Sequence, residues 1–218
     1  MDWKTWHDAY DDPESLLARR LETVRERVRE ALDHASAGPL RAVSLCAGQG
    51  RDLIPVLAEH PRGRDVHARL VELDPANADH ARTLVAQAGL DQVEVVTGDA
   101  SLTDHYLGLV PADLVLVCGV YGNLRLADIQ ATVAACTSLC ATDGTVIWTR
   151  GRKPEPTTAL RIAAWYQEHG FEKVWLADEN EQMCVGSYRY TGTPTPLIPD
   201  VSLFEFVGYD VLYHPRPA

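Results

Sequence analysis

Lysine is nearly missing from this chain: Lys4, Lys153 and Lys173 are the only three among 20 basic residues. With the abundant alanine, that bias points to a GC-rich bacterial coding sequence and carries no chemistry. Concentrated positive charge is lacking too. The formal net charge is -11, whereas a protein that neutralises phosphates needs a basic groove. The densest basic stretches are Arg19, Arg20, Arg25, Arg27 and Arg29, and then Arg150, Arg152 and Lys153. Glutamates dilute the first and the second is very short, so both read as solvated faces. A nucleic-acid partner is disfavoured. No apolar run approaches the roughly 18 residues of a membrane helix, and no membrane partner is expected. The opening MDWKTWHDAYDD is aromatic and acidic, without the basic start and apolar stretch of a secretory signal. The expected location is the cytoplasm. Cysteine offers no framework: Cys46, Cys118, Cys136, Cys140 and Cys184 are odd in number and lack zinc or disulfide spacing. Cys136 and Cys140, one helical turn apart, are expected to share a helix face and pack as small hydrophobes. No metal is expected.

What is present is an ordinary globular composition. The 218 residues are 46% hydrophobic and 23% charged, enough for one α/β domain with a buried core. Trp3, Trp6, His7 and Tyr10 form an aromatic patch at helix-like spacing. Asp11, Asp12, Pro13 and Glu14 then read as a helix start. Leu17, Leu21, Val24, Val28 and Ala31 recur at steps of four and three, which predicts an amphipathic helix of about five turns to His34. From residue 41 the pattern becomes strand, turn, helix, repeated. Strands are predicted at residues 41–46, 66–72, 92–97, 113–118 and 144–149, the first alternating and the fourth buried on both faces. Helices are predicted at 51–60, 75–89, 126–139 and 157–169. Residues 171–176 and 183–190 read as an antiparallel pair. The proline-rich residues 191–218 read as a tail packed on the domain, with one further strand at 201–207. The divisions are thus 1–39, an aromatic lid segment and helix; 40–190, the core; and 191–218, the tail.

Ligands on open parallel sheets bind beyond the carboxyl ends of the strands, where strand order reverses. The residues just after each strand are therefore the informative ones. Gly48 and Gly50 follow the first strand, where a missing β-carbon lets the backbone approach a ligand. A helix starting near Gly50 would offer free N–H donors. Glu72 ends the second strand, 24 residues after Gly48, close to the spacing of a carboxylate that accepts ribose hydroxyls. Asp74 competes for that role but looks like a helix cap. Asp99 ends the third strand, where it can accept a hydrogen bond from an exocyclic amine. NAD is the rival ligand for such a pattern. Its fingerprint needs glycine or alanine at position 53, where this chain has Leu53.

The segments VSLCAGQGRDL, LVELDPANADHAR, VVTGDA, ADLVLVCGV and CATDGTVIW, spread in order over residues 40–190, resemble the class I S-adenosylmethionine-dependent methyltransferases. The resemblance implies a Rossmann-like, mostly parallel seven-stranded sheet with a terminal antiparallel hairpin and helices on both faces. It implies S-adenosylmethionine as cofactor. Ala47, Gly48 and Gly50 would face its methionine part, Glu72 and the adjoining Leu73 its ribose, Asp99 and Ala100 its adenine, and Cys118 and Gly119 would border the methyl. Two departures stand out: Ser44 replaces the family's usual acid, and Cys46 replaces its first glycine. Tyr10 or His7 is expected to fold over the cofactor and compensate for Ser44.

The activated methyl belongs to the cofactor, so the protein's task is to place a nucleophile in line with it. His7 and Tyr121 are the catalytic candidates, with Trp6, Asn123 and Arg150 toward the substrate; His105 and His214 are assigned surface or packing roles. The Asn/Asp-Pro-Pro-aromatic motif of amino-methylating relatives is missing after the fourth strand, which reads Cys118, Gly119, Val120, Tyr121. A small organic acceptor is expected, shielded by aromatic covers that include Phe204, Phe206 and Tyr209, in a monomer or a homodimer. Two other readings are a cofactor-binding protein that transfers no methyl (a partner subunit or a sulfonium-assisted cyclase) and a cofactor-free interaction module.

Overall fold

Helix α1, Leu16–His34, precedes the sheet. In the computed structural model, which describes residues 9–152 and 154–213, its cap is not the acidic pair. Ser15 Oγ accepts from the Ala18 N–H at 3.0 Å, and Asp12 instead accepts from the N–H of Glu14 in the preceding turn. The stripe of Leu21, Val24, Val28 and Leu32 is buried as its periodicity requires.

Seven strands follow: β1 Leu40–Leu45, β2 Val66–Glu72, β3 Val93–Thr97, β4 Ala112–Val117, β5 Cys140–Gly151, β6 Phe171–Leu176 and β7 Met183–Tyr190. Their order is β3-β2-β1-β4-β5-β7-β6. The first five run parallel. β7 lies antiparallel between β5 and β6. This is the expected mostly parallel seven-stranded sheet with its terminal hairpin. β1 does not alternate, however, because helices cover both of its faces and it is buried almost throughout. β5 begins at Cys140, so Cys136 in helix and Cys140 in strand do not share a helix face. Both thiols are buried and free.

The remaining helices are α2 Ile54–Glu59, α3 Pro75–Ala88, α4 Leu126–Leu139, α5 Thr157–Glu168 and α6 Tyr209–Tyr213. α3 is stopped by Gly89 in the left-handed conformation, φ 59°. α2 is shorter than its sequence implies, since residues 51–53 form turns before it. Alternate strand residues face opposite ways, and this divides the core in two. Ala42, Leu70, Leu114, Leu116 and Ile147 pack with α1, α2 and Ala81 of α3. Val43, Val71, Val115, Val117 and Trp148 pack with α4 and α5. On that second face Trp148, Tyr166 and Tyr188 stack with centroids 5.3–6.3 Å apart. The expected strand at 201–207 is reduced to a single bridge between Leu102 and Ser202. The stretch lies against the loop after β3, with Thr103 donating to Val201 and Leu203 to Ser101, rather than along a strand edge, so it has no ladder to join. No helix among the described residues is long and apolar enough to cross a membrane.

The arginine stretches read as solvated faces are partly interior. Arg20 is 8% exposed, and Arg27 lies over the Trp175 ring. Arg152 donates to the carbonyls of Glu181, Ala177 and Asp178, closing the β6–β7 hairpin. For Arg152, burial is tolerated because carbonyl oxygens take up its guanidinium donors.

Candidate active site

The chain runs from β1 outward to β2 and β3, then returns to β4 on the other side of β1. The reversal leaves a crevice beyond the carboxyl ends of β1 and β4. A cleft of about 300 Å³ opens there, at the lower end of small-molecule sites. Its floor is the turn after β1, with Cys46, Ala47, Gly48 and Gln49. Glu72, Leu73, Asp74, Asp99 and Ala100 line one side, Cys118 and Gly119 the other. Nine of the ten predicted cofactor residues, Tyr10 among them, therefore meet around one space; Gly50 is the one that does not line it.

Gly48 and Gly50 have φ of 56° and 68°, a region that L side chains rarely occupy. Cys46 shares it, φ 50°, a conformation that glycine adopts without steric cost. Gly50 is also buttressed by Ile54 and Leu70, which leave no room for a side chain. The expected helix N-terminus at Gly50 is displaced to Ile54. The Gly50 N–H instead closes the turn onto Ala47 O at 2.9 Å.

Glu72 is held by the backbone. Its Oε2 accepts from the Gly48 N–H at 2.7 Å and its Oε1 from the Asp74 N–H at 2.9 Å. Burial pushes its carboxyl up, and these hydrogen bonds partly offset the effect. Each oxygen keeps a second lone pair for a ligand hydroxyl. Asp74 also lines the cleft, but its Oδ1 is engaged in capping α3, accepting from Ala76 and Asn77. Asp99 accepts from the Ser101 N–H at 2.9 Å. Leu73, 67% exposed, forms the rim.

Tyr10 lies in the one-turn 3-10 helix Ala9–Asp11 and closes the cleft from the N-terminal side. Its hydroxyl accepts from Arg20 Nη2. Arg51, paired with Asp11 at 2.8 Å, sits over the Tyr10 ring. Arg20, Leu21, Val24 and Asp52 complete that wall, and Phe204 and Phe206 of the tail close the opposite one. Asp52 and Arg20 were not among the residues expected from sequence. Asp52 sits inside VSLCAGQGRDL, and Arg20 adjoins the apolar stripe of α1, which is the signal that could have placed it inward.

The acceptor-side candidates sit differently. Tyr121 is 0% exposed and its hydroxyl shares a 2.6 Å hydrogen bond with that of Tyr166, inside the α4–α5 core. It does not line the cleft, and burial pushes its hydroxyl well above the usual range. Asn123 is 8% exposed. Its Nδ2 donates to Gly119 O, while its Oδ1 and O accept from Tyr209, Val207 and Gly208. It fastens the tail to the loop after β4. Arg150, 3% exposed, donates to Tyr121 O and to Tyr213 Oη. None of the three lines the cleft: Tyr121 belongs to the core, and Asn123 and Arg150 fasten the loop and tail. Trp6, His7, His214, Trp3 and Lys153 lie outside the described residues. Among the described residues no cluster of His, Cys, Asp or Glu could hold a metal ion.

A family model described as "Putative methyltransferase" matches residues 17–183. No curated protein matches the chain. Among solved structures it is similar to an O-methyltransferase family protein from Burkholderia thailandensis, at 16% identity and TM-score 0.65, covering 88% of this chain and 61% of that one. It therefore spans about three-fifths of that protein's length. Magnesium protoporphyrin IX methyltransferase from Synechocystis PCC 6803, solved with bound S-adenosylmethionine, is 15% identical at TM-score 0.64, with 86% and 90% of the two chains covered. An O-methyltransferase family 2 protein from Planctomyces limnophilus in complex with apigenin is 17% identical at TM-score 0.57, with 79% and 58% covered. With its family model spanning most of the chain and its sheet in this order, the chain belongs to this methyltransferase family and has the class I Rossmann-like fold.

Proposed function

We propose that the chain transfers a methyl group from S-adenosylmethionine to a small organic acceptor. The observation that carries this reading is the meeting of the glycine turn, Glu72 and Asp99 around one cleft at the reversal of strand order, with Gly48 and Glu72 joined directly. Glu72 would hold the ribose hydroxyls, Asp99 the adenine amine, and Ala47 and Gly48 the methionine part, over the apolar floor of Cys46 and Ala100. When bound, the cofactor supplies a methyl on a positively charged sulfur, already activated for transfer. The protein's own part is positional. Cys118 and Gly119 border the place where the methyl would lie. Leu21 and Val24 on one side, and Phe204 and Phe206 on the other, offer apolar surfaces that align an acceptor and exclude water. The Gly119 N–H is held by Thr149 Oγ1 at 2.9 Å, which keeps this edge in place.

The similarity to magnesium protoporphyrin IX methyltransferase and to the methyltransferase solved with apigenin supports a small organic acceptor, and the net charge of -11 supports one that is not a nucleic acid. His7 as general base and Trp6 beside the acceptor are part of the same proposal. The test is calorimetric titration with S-adenosylmethionine and S-adenosylhomocysteine, beside a Glu72→Ala variant, followed by transfer of a labelled methyl to candidate acceptors. Micromolar binding lost in the variant is expected. An intact protein that binds neither ligand overturns the reading. Tight binding with no transfer to any acceptor assigns the chain instead to cofactor binding without methylation.

A further inference from the structure

We propose that Asp52 holds the α-ammonium group of the cofactor's methionine end, in place of the acid that position 44 lacks. This rests on the methyltransferase reading above and names a residue that the glycine-turn motif does not assign. Ser44 is 1% exposed, its Oγ has no hydrogen-bond partner, and it does not line the cleft. A neutral hydroxyl enclosed in the middle of a sheet cannot compensate a cation in the crevice beyond it.

Asp52 lies two residues after Gly50, on the cleft wall shared with Tyr10, Arg20 and Cys118. Its Oδ1 is enclosed and has no hydrogen-bond partner in the protein. A buried carboxylate oxygen without a donor is costly, and such groups persist where a ligand completes them. The Oδ1 atom is open to a ligand donor, and a cationic one matches the carboxylate best. The other parts of the cofactor are already placed: sugar and base along Glu72 and Asp99, the methyl beside Cys118 and Gly119. The wall of Tyr10, Arg20 and Asp52 is what remains for the amino-acid end. That wall carries both signs of charge, the Asp52 carboxylate with the guanidinium groups of Arg20 and Arg51. A zwitterion, ammonium toward Asp52 and carboxylate toward the arginines, is the ligand chemistry that answers both. Tyr10, the other candidate, is a phenol whose burial pushes its pKa up, so it stays neutral and supplies no charge for the ammonium.

The test compares two ligands on the full-length protein by calorimetry: S-adenosylhomocysteine, and 5′-methylthioadenosine, which has the nucleoside and sulfur but no amino-acid end. Asp52→Asn is expected to weaken S-adenosylhomocysteine about tenfold or more, as for a charge-assisted hydrogen bond, and to leave 5′-methylthioadenosine within about twofold. Ser44→Ala is expected to change neither. Equal weakening of both ligands in Asp52→Asn, or none, overturns the proposal, as does a selective loss in Ser44→Ala. Equal affinity of the intact protein for the two ligands also overturns it, because no amino-acid subsite then exists. An intact protein that binds neither ligand overturns the methyltransferase reading itself, so the two failures are distinct.

Discussion

The Gly48 N–H donates to Glu72 Oε2 at 2.7 Å, joining the turn after β1 to the end of the neighbouring parallel strand β2. One carboxylate thereby shapes the turn and keeps its remaining lone pairs for the cleft that it lines. Glu72→Gln places an amide N–H₂ against one of two backbone donors. It is expected to lower stability by about 1–3 kcal/mol and S-adenosylhomocysteine affinity by an order of magnitude, read by thermal melting and calorimetry. Because burial raises the Glu72 carboxyl, affinity in the intact protein should begin to fall on acidification above the usual glutamate range. The folded state binds this proton more tightly than the unfolded chain. Protonation of Glu72 therefore adds stability as pH falls, and loss of affinity should precede acid unfolding. Calorimetry and melting over the same pH series check the order of the two events.

The Tyr121 hydroxyl meets that of Tyr166 at 2.6 Å within the core, with Cys136 Sγ 3.6 Å from Tyr166 Oη. Tyr121→Phe should cost about 1 kcal/mol, a fall of about 2–4 °C in melting temperature for a chain of this size. Methyl-transfer turnover should not change. Lost turnover with unchanged melting would restore a catalytic role to Tyr121.

Burial pushes the Asp52 carboxyl up, against the lowering influence of Arg20. For a carboxylate raised in this way, the folded state loses stability as pH rises through the window above the unfolded pKa. Asp52→Asn removes that cost and should raise the melting temperature of the ligand-free protein by about 2–4 °C at neutral pH, the equivalent of about 1 kcal/mol. The gain should vanish as pH falls and the native side chain becomes neutral too. Differential scanning calorimetry at neutral and acidic pH tests this. A variant that melts lower at neutral pH would show that the contact with Arg20 outweighs desolvation.

Phe206 lines the cleft from the tail and is 39% exposed. Phe206→Ala should raise the acceptor KM about 5- to 30-fold, the equivalent of about 1–2 kcal/mol of apolar contact. Cofactor affinity should stay within about twofold. Steady-state kinetics with a saturating methyl donor separates the two effects.

The local chemistry of the chain carried much of the fold. The stripe of Leu21, Val24 and Val28, the proline that opens α3 and Gly89 that closes it are properties of neighbouring residues, and they mark the same elements in sequence and structure. The place of Glu72 and Asp99 on the cleft was legible because one ends β2 and the other follows β3 by two residues, and open parallel sheets form their crevice beyond the carboxyl ends of the strands. The polar residues after β4 were harder. Asn123 and Arg150 lie on the expected segments, yet Asn123 Nδ2 and the two Nη atoms of Arg150 are directed to Gly119, Tyr121 and the tail. Those partners lie up to 86 residues away in the chain, as with Tyr209 and Asn123, and no local pattern encodes them. Ser15 capped α1 in place of the acids before it because side-chain reach, rather than residue type, decides among adjacent cap candidates.

By itself, the sequence determined the order of strands and helices, the turn at Gly48 and Gly50, and the acids at two strand ends, since periodicity and backbone preference act over a few residues. Only the tertiary structure decided that Tyr121 faces the core, that Arg20 turns into the cleft, and that Asp52 has an enclosed oxygen without a donor. The physical reason is that burial and hydrogen-bond partnership belong to pairs of segments. α1 comes against the turn after β1, and α5 against α4, only when the sheet has formed between them.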